Sequence, residues 1–515
     1  MGLGLAAHPR LAGRHAGAAV NLLARPVDLT PALVERVAFD REPLRLHPDL
    51  LAGIDAGRAA MLATLAGSAR VYGVNTGMGY LAETDLSADE QARHQRTLLL
   101  GRAVGSAPWL PAEEARAVLV ARLAGFVSGH AGVSAALCAY LADRLNDGFD
   151  PAVPALAMGS AGEVIPLAHA FQAFLGIGAV LTPSGGTQDA AEALAERGVA
   201  PYEPAAKEGI ALLAGAPATA ALALARGRTV RALRRQLLVS TAAAVSALQA
   251  PLDPYDPALS ALDADPLLAA VLAGLRDALA GSEHASAAHQ APVSFRVAPQ
   301  VLAHVDREAA RLDAGVRHAL ITVTDSPVHL DGRFLAYGGF HAVQLAADMD
   351  ALAVALVRAA ELAGQRVARL LDSRFSGLPD QLSAQPGPYC GLIVVHKRVV
   401  GAVNELRRLA VPASVGLADT SLGQEDAMTF AFEAAAKLRR VEALTREVMA
   451  CELLCARQAW ALRGVRPPQM AGRLEAEIAP VGADRPLGQD LAHLVDLLER
   501  DQLFDPEPVS PPPAW

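Results

Sequence analysis

Two long stretches constrain this chain more than anything else in it. Residues 342–375 run without a proline, and Leu345, Met349, Leu352, Leu356 and Leu362 fall near helical spacing. Residues 424–464 contain no proline, and no glycine before Gly464, with Arg439, Arg440 and Arg446 offset from an apolar stripe. Both exceed the ordinary helix of about 11–12 residues. Glu425 and Asp426 are expected at the start of the second helix, where carboxylates meet the positive dipole end. Residues 301–321 and 392–409 read as shorter helices of the same kind. Aromatics make up only 4% of the chain, and the surplus apolarity is mostly alanine, which suits close helix packing. The expected fold class is therefore all-α, a bundle of long central helices.

Composition then removes several function classes. With 52% hydrophobic and 19% charged residues among 515, bulk disorder is excluded and a large core needs no disulfide or metal support. The net charge is −9, and no basic run is present. Nucleic acid and anionic membranes are poor partners for such a chain. A mean hydropathy of +0.26 invites a membrane reading. The longest uncharged run, 164–188, is nevertheless interrupted by Pro166 and Pro183 and carries His169, Gln172, Gly176 and Gly178. It reads as a buried helix followed by a loop, not as a membrane span. Cys451 and Cys455 stand one helical turn apart without a partner pair nearby, a spacing that points to packing and to no metal. Scattered cysteines and no signal-peptide pattern make the cytoplasm the expected compartment.

Along the chain, residues 1–25 read as a flexible Ala/Gly-rich extension and 26–205 as a smaller N-terminal domain carrying loops. Residues 206–503 read as the central bundle. Residues 504–515, with five prolines, read as an extended tail. No internal repeat is visible.

Three loop segments carry the chemistry. The first, Val71-Tyr72-Gly73-Val74-Asn75-Thr76-Gly77-Met78-Gly79, interleaves glycines with a phenol and an amide. Glycine allows close backbone approach to a ligand, and Tyr72 supplies an ionisable O–H. Taken alone, the segment reads more simply as a Gly-rich turn around a packed tyrosine. The second, from Met158-Gly159-Ser160-Ala161-Gly162-Glu163 to Pro166-Leu167-Ala168-His169, leads small residues into a helix, with Ser160 available as a cap. The third, Thr420-Ser421-Leu422-Gly423-Gln424-Glu425-Asp426, reads by itself as a capped helix start.

Together these segments resemble the aromatic amino acid ammonia-lyase family, typified by histidine and phenylalanine ammonia-lyases. The likeness runs from about Ala24 to Arg466. It includes Gln95-Arg96-Thr97-Leu98, Glu208-Gly209-Ile210-Ala211-Leu212-Leu213, Ser294-Phe295-Arg296 with Pro299-Gln300, Thr324-Asp325-Ser326-Pro327, Phe340-His341, and Gln424-Glu425-Asp426. The resemblance implies an all-α homotetramer whose sites draw on several subunits. It also implies an electrophile, methylideneimidazolone (MIO), built from an internal Ala-Ser-Gly. The proton β to an amino acid's carboxylate is barely acidic, so the family's reaction needs such an electron sink while a tyrosine removes the proton.

At that point the sequence departs from the family. Counting back from Pro166-Leu167-Ala168-His169, the three ring-forming positions hold Ser160, Ala161 and Gly162, and Ala161 has no hydroxyl to lose. A shifted Gly159-Ser160-Ala161 keeps a central serine, with alanine supplying the attacking amide. Elsewhere the family's Ser-His reads Gly101-Arg102, its Asn-Gly-Thr-Gln reads Ala214-Gly215-Ala216-Pro217, and its bundle glutamine reads His396. The tyrosine before its Ser-Leu-Arg reads Val293, and the Asn before Phe340 reads Gly339. Tyr72, Asn75, Gly79, Gln290, Arg296, Phe340, Gln424 and Glu425 are kept. By resemblance Tyr72 is the base and Arg296 a carboxylate clamp.

Two readings follow. In the first, the chain is a cofactor-free lyase whose substrate carries its own activating acyl or carbonyl group. Tyr72 is then the base, Glu425 or Arg102 assists a leaving group or holds an anion, and Asn75, Gly79, Gln290, Arg296, Phe340, His396 and Gln424 bind substrate. Elimination, isomerisation or cyclisation would suit it. Gly101 with cationic Arg102 points to an anionic substrate, a small carboxylate or carrier-bound acyl chain. In the second, the chain is a silent binding or scaffold relative. Amino acid deamination through the shifted MIO is a third, lesser reading.

Overall fold

A computed structural model describes residues 20–68, 70–155, 159, 161–286 and 288–504. The helices that matter for the site are, in chain order, α1 (Ala88–Leu100), α2 (Ala112–Val127), α3 (Val164–Gln172), α4 (Glu208–Leu213) and α5 (Pro217–Leu248). They continue with α6 (Ala298–Ile321), α7 (Val343–Leu370), α8 (Ile393–Leu409) and α9 (Ala431–Arg463). Among the described residues, strands are confined to three short pairs, one parallel (Asn21–Leu23 with Leu44–Leu46) and two antiparallel. The chain is all-α in class, as its proline-free stretches predict.

Backbone contacts divide the chain into two units. The first holds 1–225, 314–347 and 413–436; the second holds 226–313, 348–412 and 437–515. Each unit is assembled from three separated stretches, so the units follow space and not chain order.

Both proline-free stretches form the expected helices, α7 and α9. The second starts later than expected, at Ala431. Glu425 and Asp426 are not in its first turn. The Thr420 N–H donates to the Glu425 carbonyl at 2.8 Å, and Ser421, Leu422 and Phe430 take positive φ. That conformation is incompatible with a helix for residues bearing a Cβ. Side-chain spacing cannot register such a backbone reversal.

The helices at 208–248 and 338–370 are long and apolar enough to cross a membrane by length and composition. The apolar window of the first is 94% buried within the protein, as in a core helix. In the second unit the core is alanine-rich and includes a fully buried ion pair. Arg366 Nε donates to Glu452 Oε1 at 2.6 Å, and the Ser240 hydroxyl donates to Glu452 Oε2 at 2.7 Å. Cys451 and Cys455 are buried free thiols pushed up by burial, in keeping with packing. Residues 1–19 and the tail from 505 onward lie outside the described residues.

Candidate active site

The Tyr72 loop is held by two motifs that follow it in the chain, around Gln95 and around Gly209. Gly73 takes φ +66, where a residue with a Cβ is strained, and a Cβ there would lie 2.1 Å from Ile210 Cδ1, which would have to shift. Asn75 Oδ1 accepts the Val71 N–H at 2.6 Å, closing the loop on itself. Gln95 on α1 reaches across with both ends of its amide. Its Nε2 donates to the Gly73 carbonyl at 3.2 Å, and its Oε1 accepts the Ile210 N–H of α4 at 3.3 Å. Gly209 permits that approach, since a Cβ there would stand 2.0 Å from the Gln95 carbonyl oxygen. Thus Gln95 and Glu208-Gly209-Ile210 form the clamp that presents Tyr72.

The Tyr72 oxygen accepts the Gly79 N–H at 2.8 Å. No described residue accepts its own proton. Gly79 takes φ +68 and passes close to the turn at 420–425. A Cβ on it would be 3.5 Å from Ser421 Oγ and 4.0 Å from Glu425 Oε1. Thr420 Oγ1 donates to Glu425 Oε2 at 3.1 Å. Burial pushes the Tyr72 phenol above its ordinary range; the Gly79 N–H pulls it down, Glu425 pushes it up, and Arg102 pulls it down. The hydroxyl therefore lies in the field of a cation and an anion at once.

Arg102 follows the C-terminus of α1, where its Nη1 donates to the Leu98 carbonyl at 3.3 Å. Burial lowers its pKa, while Tyr72 and Glu425 raise it. Its loop is anchored by His169, whose Nε2 accepts the Gly105 N–H at 3.0 Å. That is a structural duty for the histidine of Pro166-Leu167-Ala168-His169. Burial lowers the His169 pKa, which suits an acceptor nitrogen.

At the degenerate ring-forming segment, Ser160 lies outside the described residues. Ala161 and Gly162 are half-buried, and a Cβ on Gly162 would be 3.7 Å from Phe340 Cδ2. Next to them stands Glu163, a residue the motif reading did not single out. Its carboxylate is buried and accepts the N–H groups of Ala218 and Thr219, each at 2.6 Å, in the first turn of α5. Burial pushes it up to about 7, against the pull of Thr219, Ala218 and Arg122. The N-cap of α3 is this glutamate; the cap expected at Ser160 lies outside the described residues.

In the first unit, then, the structure brings Tyr72, Gly79, Arg102 and Glu425 together, with Asn75 closing the loop, while Phe340 meets Gly162 and Gln424 is solvent-exposed. Gln290, Arg296 and His396 belong to the second unit. Arg296 is half-buried with its Nε donating to the Ala291 carbonyl at 3.0 Å; His396 is half-buried on α8, and Gln290 is exposed. A separate cavity of about 280 Å³, lined by His130, Val328, Leu335 and Tyr337 among others, shares no lining residue with the Tyr72 cluster.

The aromatic amino acid lyase family matches residues 29–479. The chain belongs to this family. Histidine ammonia-lyase from Aromatoleum aromaticum is 35% identical over 490 residues, covering 92% of each chain. The enzyme of the same name from Rhodospirillum rubrum is 32% identical, covering 92% of this chain and 96% of its own. Among solved structures, tyrosine aminomutase from Streptomyces globisporus superposes with a TM-score of 0.86 at 25% identity, covering 93% of this chain and 97% of its own. An aromatic amino acid lyase fold accounts for the long bundle helices.

Proposed function

We propose that this family member works without MIO, as a lyase that eliminates, isomerises or cyclises a substrate activated by its own acyl or carbonyl group. The observation that carries this reading is the methyl group at position 161. MIO requires a central residue with a β-hydroxyl to dehydrate, and alanine has none. Ala161 immediately precedes Gly162, the glycine of the expected ring, when the segment is counted back from Pro166-Leu167-Ala168-His169. The residues at the expected ring-forming positions do not fit the group.

The retained site supports a simpler chemistry. Tyr72 takes a proton α to a thioester or ketone, and the substrate carbonyl receives the electron pair. In a dehydration, Glu425 returns a proton to a departing β-hydroxyl, which leaves as water while the C–C double bond forms. Gly79 N–H and Arg102 stabilise the phenolate that acts as base. The buried clamp of Gln95, Gly73 and Gly209 supports an active site over a silent scaffold, since it holds one tyrosine in one orientation. The substrate is a small molecule or a carrier-bound acyl chain, and the enzyme a cytoplasmic homotetramer.

The histidine ammonia-lyase relatives favour one second reading, deamination through a shifted ring at Gly159-Ser160-Ala161. Intact mass spectrometry separates the two. The proposed enzyme has the mass of its sequence; a mass lower by two water molecules, with a near-ultraviolet band removed by borohydride, would falsify it.

A further inference from the structure

We propose that the cavity walled by the hairpin of Val328–Leu330 and Arg333–Leu335 is a second ligand site, which takes a small neutral aromatic molecule donating one hydrogen bond to His130. The cavity lies within the first unit and shares no lining residue with the Tyr72 cluster. The inference therefore goes beyond the reaction proposed above and does not depend on it.

Strand alternation builds the wall. Val328 pairs with Leu335 across the antiparallel ladder, and Leu330 follows Val328 at period two, so all three side chains share one face. That face lines the cavity. On the other face the His329 ring packs on Phe334 with centroids 5.5 Å apart, and its Nε2 meets Thr64 Oγ1 at 3.0 Å. His130 is fastened to the hairpin twice. The His329 N–H donates to the His130 carbonyl at 3.1 Å, and His130 Nδ1 lies 3.1 Å from the His329 carbonyl oxygen. A carbonyl carries no proton, so Nδ1 is the donor. The neutral ring then holds its lone pair at Nε2, and no hydrogen bond from a described residue occupies that nitrogen.

Tyr337 adds an aromatic surface. Its N–H donates to Ser326 Oγ at 3.2 Å, and its ring lies so close to Gly339 that a Cβ there would be 2.4 Å from Tyr337 Cε1. Gly339 stands where the family has asparagine, so this departure clears the space that the Tyr337 ring occupies. Leu330 and Tyr337 are exposed and mark the open side of the cavity. Among the described residues that line it, none is acidic and none is lysine or arginine. A charged ligand would lose hydration there without a permanent counter-charge. The volume of about 280 Å³ exceeds the roughly 150 Å³ that holds one benzene ring, leaving room for a substituent and not for a long chain. One ring bearing a hydroxyl or N–H suits these walls, with the ring against Tyr337 and the donor on His130 Nε2.

4-Iodophenol and its methyl ether, 4-iodoanisole, test the assignment, since they share a body and differ in the donor. Calorimetry on the full-length protein is expected to show saturable binding of 4-iodophenol, with 4-iodoanisole about tenfold weaker, the scale of one lost hydrogen bond. The anomalous signal of iodine in soaked crystals should fall among Val328, Leu335 and Tyr337. His130→Asn keeps an amide donor for the His329 carbonyl and removes the Nε2 acceptor, so the two ligands should bind it alike. Gly339→Asn should displace Tyr337 and weaken both. No saturable binding by the folded wild type, equal affinity for the two ligands, iodine located elsewhere, an undiminished preference in His130→Asn, or unchanged binding by Gly339→Asn overturns the proposal. A mass revealing MIO would sink the mechanism above and leave this result standing.

Discussion

The phenolic oxygen of Tyr72 accepts a hydrogen bond from the backbone N–H of Gly79 at 2.8 Å, within a loop closed on itself. A backbone donor aimed at a phenol oxygen stabilises the phenolate more than the phenol. The contact therefore favours the form of Tyr72 that can take a proton, and it opposes the burial that disfavours it.

Activity should follow that balance. Burial, the largest influence, raises the Tyr72 pKa, so the base form is the minor one at neutral pH. For any substrate found, kcat/KM is expected to rise with pH toward and beyond the ordinary phenol range near 10. Arg102→Gln should move that limb to higher pH. Tyr72→Phe should lower kcat by about 10²-fold or more with an unchanged circular dichroism spectrum. A flat pH profile, or unchanged rates in Tyr72→Phe, would remove Tyr72 from the mechanism.

Glycines predict opposite outcomes at two positions. Gly209→Ala forces a Cβ to within 2.0 Å of a backbone carbonyl, and overpacking of this kind costs about 1–3 kcal/mol. Gly401 lies on α8 with nothing within 4 Å of an added Cβ. Gly401→Ala should stabilise by roughly 0.5–1 kcal/mol through helix propensity. Urea unfolding midpoints of the two variants should move in opposite directions.

The Arg366–Glu452 pair is fully buried and bonded in parallel. Arg366→Met leaves a buried carboxylate unpaired, with an expected loss of about 3–5 kcal/mol. Combining it with Glu452→Leu should recover much of that loss. A double variant as unstable as the sum of the single ones would contradict this account.

Glu163 and Glu442 both sit buried with pKa values pushed up to about 7. Each binds its proton more tightly folded than unfolded, so the stability it contributes is complete below the ordinary carboxylate range near 4.5. It is lost as pH rises through about 7. Melting temperature should therefore carry a falling component across pH 5–7 from these groups. In Glu163→Gln that fall should be shallower, since one of the two titrating groups is gone. An identical pH slope in wild type and variant would show that Glu163 does not titrate there.

What the sequence determined by itself is whatever depends on local spacing. Proline-free apolar periodicity was enough for α7 and α9, because helix formation is decided mostly by residues within a few positions of one another. The Tyr72 loop, too, was legible in its glycines. Tertiary structure alone decided the rest. The turn that holds Glu425 reverses through positive-φ residues, which spacing reads as a helix start, and so Glu425 stands beside Gly79 and not on a dipole. Gln95 and Gly209 gained their meaning only when α1 met α4, and Glu163 only when α5 offered it two N–H groups. Hydrogen-bond partners distant in sequence leave no periodic trace.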